Sequence, residues 1–175
     1  MKHYKGYLID LDGTMYKGTE KIEAASRFVH ELKNRNIPYL FVTNNSSRTP
    51  DQVAAKLTEF DIPTEPKQVF TTSQATANYI YEQKPDASVY VIGEDGIREA
   101  LTERGFTFED EKPDYVVTGI DRQINYEKLG KACLAVRAGA KFVSTNADIA
   151  LPTERGFMPG NGSLTEVVSV STGVQ

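Results

Sequence analysis

Asp10 and Asp12 stand one residue apart in the run Asp10-Leu11-Asp12-Gly13-Thr14, directly after the apolar triplet Tyr7-Leu8-Ile9. The triplet reads as a buried strand. Ligands of open α/β sheets bind beyond the carboxyl ends of the strands, so Asp10 is expected at a binding crevice, with Gly13 letting the backbone turn sharply away. Side chains alternate in direction along a strand, so two aspartates separated by one residue can share a face. Two such anions need a cation. Magnesium suits them, because it prefers oxygen ligands in octahedral geometry and joins carboxylates to phosphate and water. Asp10 could then attack phosphorus to give an aspartyl-phosphate, while Asp12 protonates the leaving oxygen and later activates water. The plainer alternative is a solvated turn, since Asp, Gly and Thr all favour turns.

A second polar run, Thr43-Asn44-Asn45-Ser46-Ser47-Arg48, leaves the apolar stretch Tyr39-Leu40-Phe41-Val42. The Thr43 hydroxyl, the Asn44 amide and backbone donors of the turn can hold phosphate oxygens, with Asn45 a weaker candidate and Arg48 a source of positive charge. Alone, the run would equally serve as a helix cap. Its position after a second strand, like that of the aspartates after the first, favours binding.

The elements that must position these residues alternate along the chain. Ala25, Phe28, Val29 and Leu32 recur at helical spacing between the two strands, making a βαβ unit. Thr49-Pro50-Asp51-Gln52 has a capping-box pattern ahead of Val53, Leu57 and Phe60. Val69-Phe70-Thr71 reads as a strand, and Ser73 as the cap of a helix carrying Ala77, Ile80 and Tyr81. A domain boundary is expected at residues 84–85. Beyond it come strand 89–92, helix 97–104 closed by Gly105, strand 115–118, a helix capped by Asn125 with Leu129, Cys133 and Val136, and strand 141–144. A long loop, 145–162, leads to a further helix start at Ser163. Strands and helices taking turns predict an α/β fold with a mainly parallel sheet. Thr43-Asn44 and Thr145-Asn146 both follow predicted strands, which does not by itself establish a duplication.

With these residues in view, the chain resembles the haloacid dehalogenase superfamily: Asp10-Leu11-Asp12-Gly13-Thr14 matches its first motif and Thr43 its second. More narrowly, Thr43-Asn44-Asn45-Ser46, Thr145-Asn146-Ala147-Asp148 and Pro159-Gly160-Asn161-Gly162-Ser163 resemble the NagD-like, 4-nitrophenylphosphatase type. The resemblance implies a Rossmann-like core, residues 1–84, with an inserted α/β cap, residues 85–175. It implies Asp10 as nucleophile, Asp12 as acid/base, Asp10 and Asp12 as magnesium ligands, and Thr43 and Asn44 as phosphate binders. It places the loop bearing Asn146 and Asp148 at the leaving group, where Ile149, Leu151 and Arg155 also lie. The family also uses a lysine after the cap and an acidic motif on a later core strand. No segment of this sequence matches either, and Lys141 and Asp148 precede the position, so the core is expected to be incomplete in this chain.

The activity expected is magnesium-dependent hydrolysis of small phosphomonoesters. The alternatives are a phosphoryl-transferring mutase with the same chemistry and a noncatalytic phosphate-binding or phosphoacceptor module. A net charge of −4 without a basic stripe argues against nucleic acid as partner. No stretch approaches the roughly 20 apolar residues of a membrane span. Cys133 is the one cysteine, so no internal disulfide forms, and with no apolar leader in view the default location is cytoplasmic. Cys133 is expected to pack, and His3 and His30 to be solvated or in contact with a partner. A homodimer through the cap is a further expectation.

Overall fold

In the computed structural model, which describes residues 4–153 and 155–174, the elements follow the expected alternation. His3 lies outside the described residues. The chain divides into two units, Met1–Thr43 with Pro50–Thr71, and Asn44–Thr49 with Thr72–Gln175.

The first unit contains β1 (Tyr7–Asp10), the short antiparallel pair β2 (Tyr16–Lys17) and β3 (Glu20–Lys21), α1 (Glu23–Asn34), β4 (Tyr39–Thr43), α2 (Pro50–Glu59) and β5 (Val69–Thr71). Strands β1, β4 and β5 form a parallel sheet in that order. In register, Ile9, Phe41 and Val69 make one row, and all three share a core with Val29 and Leu32 of α1 and Val53 and Leu57 of α2. Phe41 is fully buried, a contribution of about 1.5–3 kcal/mol. The neighbouring rows face the other way. Leu8 is 74% exposed and Phe70 37%, so the expectation that Tyr7-Leu8-Ile9 is buried throughout holds for Ile9 only. The physical reason is the strand's period of two: the helices cover one face of this sheet, and every second side chain points to the other. Phe28, expected in the α1 stripe, is 39% exposed and meets the Tyr7 ring edge-on at 5.4 Å. His30 is partly buried and contacts the carboxylate and carbonyl of Asp61.

The second unit contains α3 (Thr72–Gln83), β6 (Ser88–Ile92), α4 (Asp95–Glu103), β7 (Thr107–Phe108), β8 (Tyr115–Thr118), α5 (Tyr126–Arg137), β9 (Lys141–Ser144), β10 (Ala150–Thr153), β11 (Gly156–Pro159) and α6 (Asn161–Thr172). Its sheet runs β7-β6-β8-β9, all parallel. Val89, Val91, Tyr115 and Val117 pack with Ala77, Ile80, Ile97 and Leu101 of α3 and α4. Tyr90, Ile92 and Val116 pack with Ala132 and Val136 of α5 and Val168 of α6. Strands covered on both faces read as near-continuous apolar runs, which explains residues 89–92 in β6 and 115–117 in β8.

Several local expectations are revised. By its contacts helix α3 groups with the second unit, Ala77 and Ile80 entering that unit's core, and residues 44–49 group with it too. Ser73 does not cap α3; it lies inside the first turn, where its hydroxyl donates to the Ser46 carbonyl. The 145–162 loop contains the β10–β11 hairpin, and α6 starts at Asn161 rather than Ser163. Asn125 does cap α5, accepting from Lys128 N at 2.9 Å. Cys133 is partly buried beside that core, as a packing residue would be. No helix of the described residues is long and apolar enough to cross a membrane.

Candidate active site

Asp10 is the last residue of β1 and is paired in register with Val42, the residue before Thr43 on β4. Thr43 in turn pairs with Thr71, the last residue of β5. Asp10 and Thr43 therefore close neighbouring parallel strands at their carboxyl ends, where an α/β sheet presents its ligand site.

The turn after Asp10 is fixed by its own backbone. Leu11 is fully buried, and its carbonyl accepts from Thr14 N at 3.1 Å and Met15 N at 2.8 Å, while Gly13 N donates to Tyr16 O at 2.8 Å. Gly13 has φ +80°, a conformation that suits a residue without a Cβ. With Leu11 anchored in the core, the carboxylates on either side of it are both exposed. They offer oxygen donors alone, as a magnesium ion taking one or two carboxylates together with water and substrate oxygen requires. Among the described residues no group of three or more His, Cys, Asp or Glu side chains is placed to hold a metal. The pair is a partial ligand set that fits magnesium and does not resemble a closed zinc site.

The polar run after β4 is built into the second unit. Asn45 Oδ1 accepts from Ser47 N and Ser47 Oγ, both at 2.9 Å, and from Arg48 N at 3.3 Å, which closes an Asx-type turn. The Asn45 side-chain oxygen thus shapes the loop. Ser46 Oγ accepts from Ile120 N at 3.0 Å, and Gly96 N donates to Ser47 O at 3.0 Å. The fit is tight: a Cβ on Gly96 would lie 2.4 Å from the Arg48 carbonyl oxygen, and one on Gly119 would lie 2.9 Å from Ser46 Oγ. Sequence reasoning missed Gly96, Gly119 and Ser46. Gly96 opens a helix in an unremarkable Glu94-Asp95-Gly96 context, and nothing local signals that a distant loop rests on it. Arg48 is exposed.

Three of the anticipated residues meet directly. Asn44 Nδ2 and Asn146 Nδ2, the latter at 2.9 Å, both donate to Asp148 Oδ2. Two amides donating to one carboxylate oxygen hold its charge in a fixed place, since such bonds are among the stronger ones. Ile149 is exposed at the start of the β10–β11 hairpin, Leu151 is partly buried in β10, and Arg155 lies in the hairpin turn, its N donating to Thr153 Oγ1.

A parallel α/β sheet with an aspartate ending one strand and a hydroxyl-amide pair leaving the next defines a class of hydrolase-like site. The chain belongs to the haloacid dehalogenase-like hydrolase family, whose model matches residues 7–107. It is 70% identical over its full length to the 5'-nucleotidase YutF of Bacillus subtilis (strain 168) and spans 68% of that protein. It is 58% identical to an acid sugar phosphatase of Staphylococcus epidermidis, again over the whole chain and 68% of the relative. Among solved structures, a mutant of a thermostable p-nitrophenylphosphatase from Bacillus stearothermophilus matches with TM-score 0.90 and 62% identity, covering 100% of this chain and 69% of that one. A glycerol phosphate phosphatase from Mycobacterium tuberculosis in complex with magnesium matches with TM-score 0.88 and 37% identity, over 95% of this chain and 51% of that one. These relatives bear out the resemblance to the nitrophenylphosphatase branch and place the chain among phosphatases.

Proposed function

We propose that this chain carries the nucleophile, the acid/base and the first phosphate contacts of a phosphatase that hydrolyses small phosphomonoesters by way of an aspartyl-phosphate. The observation that carries the reading is the register that ends Asp10 and Thr43 on neighbouring strands. Asp10 attacks phosphorus, Asp12 donates a proton to the departing oxygen and then takes one from water, and Thr43 with Asn44 orients the phosphoryl oxygens. Asp10 and Asp12 would hold magnesium, which when bound would supply the positive charge that lets a carboxylate approach a phosphate anion. Residues 85–175 act as the cap, with Asn146 and Asp148 facing the leaving group. Relatives named for nucleotides, sugar phosphates and nitrophenyl phosphate support a small monoester substrate and favour hydrolysis over transfer to a second acceptor.

The test is hydrolysis of nitrophenyl phosphate with and without magnesium. Asp10→Asn, which keeps size and removes the nucleophile, should lower kcat by at least about 1000-fold. Turnover of that variant within about ten-fold of the unaltered protein would sink the assignment.

A further inference from the structure

The backbone of the Asn146–Asp148 loop is gripped, carbonyl by carbonyl, from two sides. The Thr145 carbonyl accepts from Thr72 Oγ1. The Asn146 carbonyl accepts from Asn161 Nδ2 at 2.9 Å and Ser144 Oγ at 3.0 Å. The Asp148 carbonyl accepts from Gly162 N at 2.8 Å, and the Ile149 carbonyl from Gly160 N at 3.0 Å and Ser163 Oγ at 2.6 Å. Most of these donors come from the turn that opens α6.

Asn161 is 1% exposed. Its Nδ2 lies within reach of Thr118 O at 3.2 Å, Ser144 Oγ at 2.9 Å, Thr145 Oγ1 at 3.2 Å and Asn146 O at 2.9 Å. Two of those partners are backbone carbonyls, which only accept, so the amide must present its nitrogen to them. Its Oδ1 is buried without a hydrogen-bond partner. Leaving a buried acceptor unsatisfied is costly, and the amide is nonetheless turned toward the loop. The two flanking glycines are required by space. A Cβ on Gly160 would lie 2.2 Å from the Asp148 carbonyl oxygen, and one on Gly162 2.4 Å from that of Ala147.

We infer that Gly160, Asn161 and Gly162 form a positioning seat that fixes the Asp148 carboxylate, and with it the Asn44 amide, for recognition of a polar leaving group. The inference rests on the proposed role of the Asn146–Asp148 loop. A hydroxylated leaving group, such as the sugar of a sugar phosphate, can donate to the Asp148 carboxylate, whereas the nitrophenyl group carries no N–H or O–H and offers no donor at all. The seat therefore governs selectivity between these substrates and does no chemistry itself.

The experiment combines amide hydrogen exchange with a double-mutant cycle on the full chain, using Asn161→Ala and Gly162→Ala. Exchange at 144–150 and 159–163 should quicken by about ten-fold or more, while α5 keeps its protection. Unchanged exchange in both variants overturns the seat. Each variant should lose about 10–100-fold in kcat/KM for a sugar phosphate, chiefly through KM, and far less for nitrophenyl phosphate. Combination with Asp148→Ala should be non-additive, because the seat acts only through the Asp148 carboxylate that this substitution removes. Additive losses, or equal losses on both substrates, overturn the positioning role. If Asp148→Ala alone leaves kcat/KM unchanged on both substrates, the leaving-group reading of the loop fails, and exchange alone then decides whether the seat holds the loop.

Discussion

Gly96→Ala sets two opposed effects against each other. Gly96 lies in the first turn of α4, where alanine in place of glycine should stabilise the helix by about 1 kcal/mol. Against that, the added Cβ would stand 2.4 Å from the Arg48 carbonyl oxygen and 2.6 Å from that of Ser46, where ordinary contact begins at 3.4 Å. The obstacles are backbone atoms, so no side chain can rotate aside. The 44–49 loop must retreat by about 1 Å, at an overpacking cost of about 1–3 kcal/mol. That retreat also strains or breaks the 3.0 Å bond from Gly96 N to Ser47 O, worth about 0.5–1.5 kcal/mol. The net expectation is a loss of about 2 kcal/mol, the clash outweighing the helix gain. With a urea m-value of about 2 kcal/mol/M, the unfolding midpoint should fall by about 1 M at unchanged m. Because Asn44 rides on the same loop, its proposed contact with phosphate should weaken as well. A midpoint that stays put or rises would refute the reasoning, since it would mean that the loop does not rest on Gly96.

Two further outcomes follow from polar groups outside the candidate site. Lys84 and Asp114 are paired at 2.7 Å, and the Lys84 ammonium, then the Ser88 backbone N–H, holds the Asp114 carboxyl below its ordinary range while the same bond raises Lys84. A depressed carboxylate stabilises above its unfolded pKa and loses that contribution as pH falls through the folded value. A raised lysine stabilises below its unfolded pKa and loses it as pH rises through the folded one. Asp114→Asn should therefore lower the urea midpoint across the neutral range, with the gap closing on acidification; an equal gap at neutral and acid pH would contradict the pairing. Tyr115 has a buried hydroxyl without a hydrogen-bond partner, so Tyr115→Phe should leave stability unchanged or raise it by up to about 1 kcal/mol, and a clear fall in melting temperature would show that the hydroxyl is satisfied.

What could be read from the sequence was what local chemistry determines. The apolar runs 89–92 and 115–117 announced β6 and β8 as strands, and Asn125 announced α5 because a cap acts within three residues. Asp10 and Thr43 could be anticipated because each follows an apolar strand. What escaped was long-range. The exposure of Leu8 depends on which face of β1 the helices cover, and no property of Tyr7-Leu8-Ile9 states it. The β10–β11 hairpin was hidden by Pro152 and Pro159, which read as loop. Ser73 looked like a cap because the Ser46 carbonyl it serves comes from the loop after β4.

The two Thr-Asn pairs, too weak in the sequence to establish a repeat, gain a shared physical meaning in the structure. Thr43-Asn44 leaves β4 and Thr145-Asn146 leaves β9, each at the carboxyl end of a parallel strand. Both asparagine amides donate to Asp148 Oδ2. Each loop rests on a close glycine approach, at Gly96 and Gly119 in one case and Gly160 and Gly162 in the other. A loop that must hold a polar group steady cannot rely on its own turn bonds, because exposed backbone bonds open easily. It needs donors from a packed element close enough to reach its carbonyls, and glycine allows helix and loop backbones to approach that closely. The same construction serves the Asn44 amide, proposed to bind phosphate, and the Asp148 carboxylate, proposed to meet the leaving group. A displaced Gly96 contact and a displaced Gly162 contact should accordingly act through one shared group, Asp148, rather than as independent lesions.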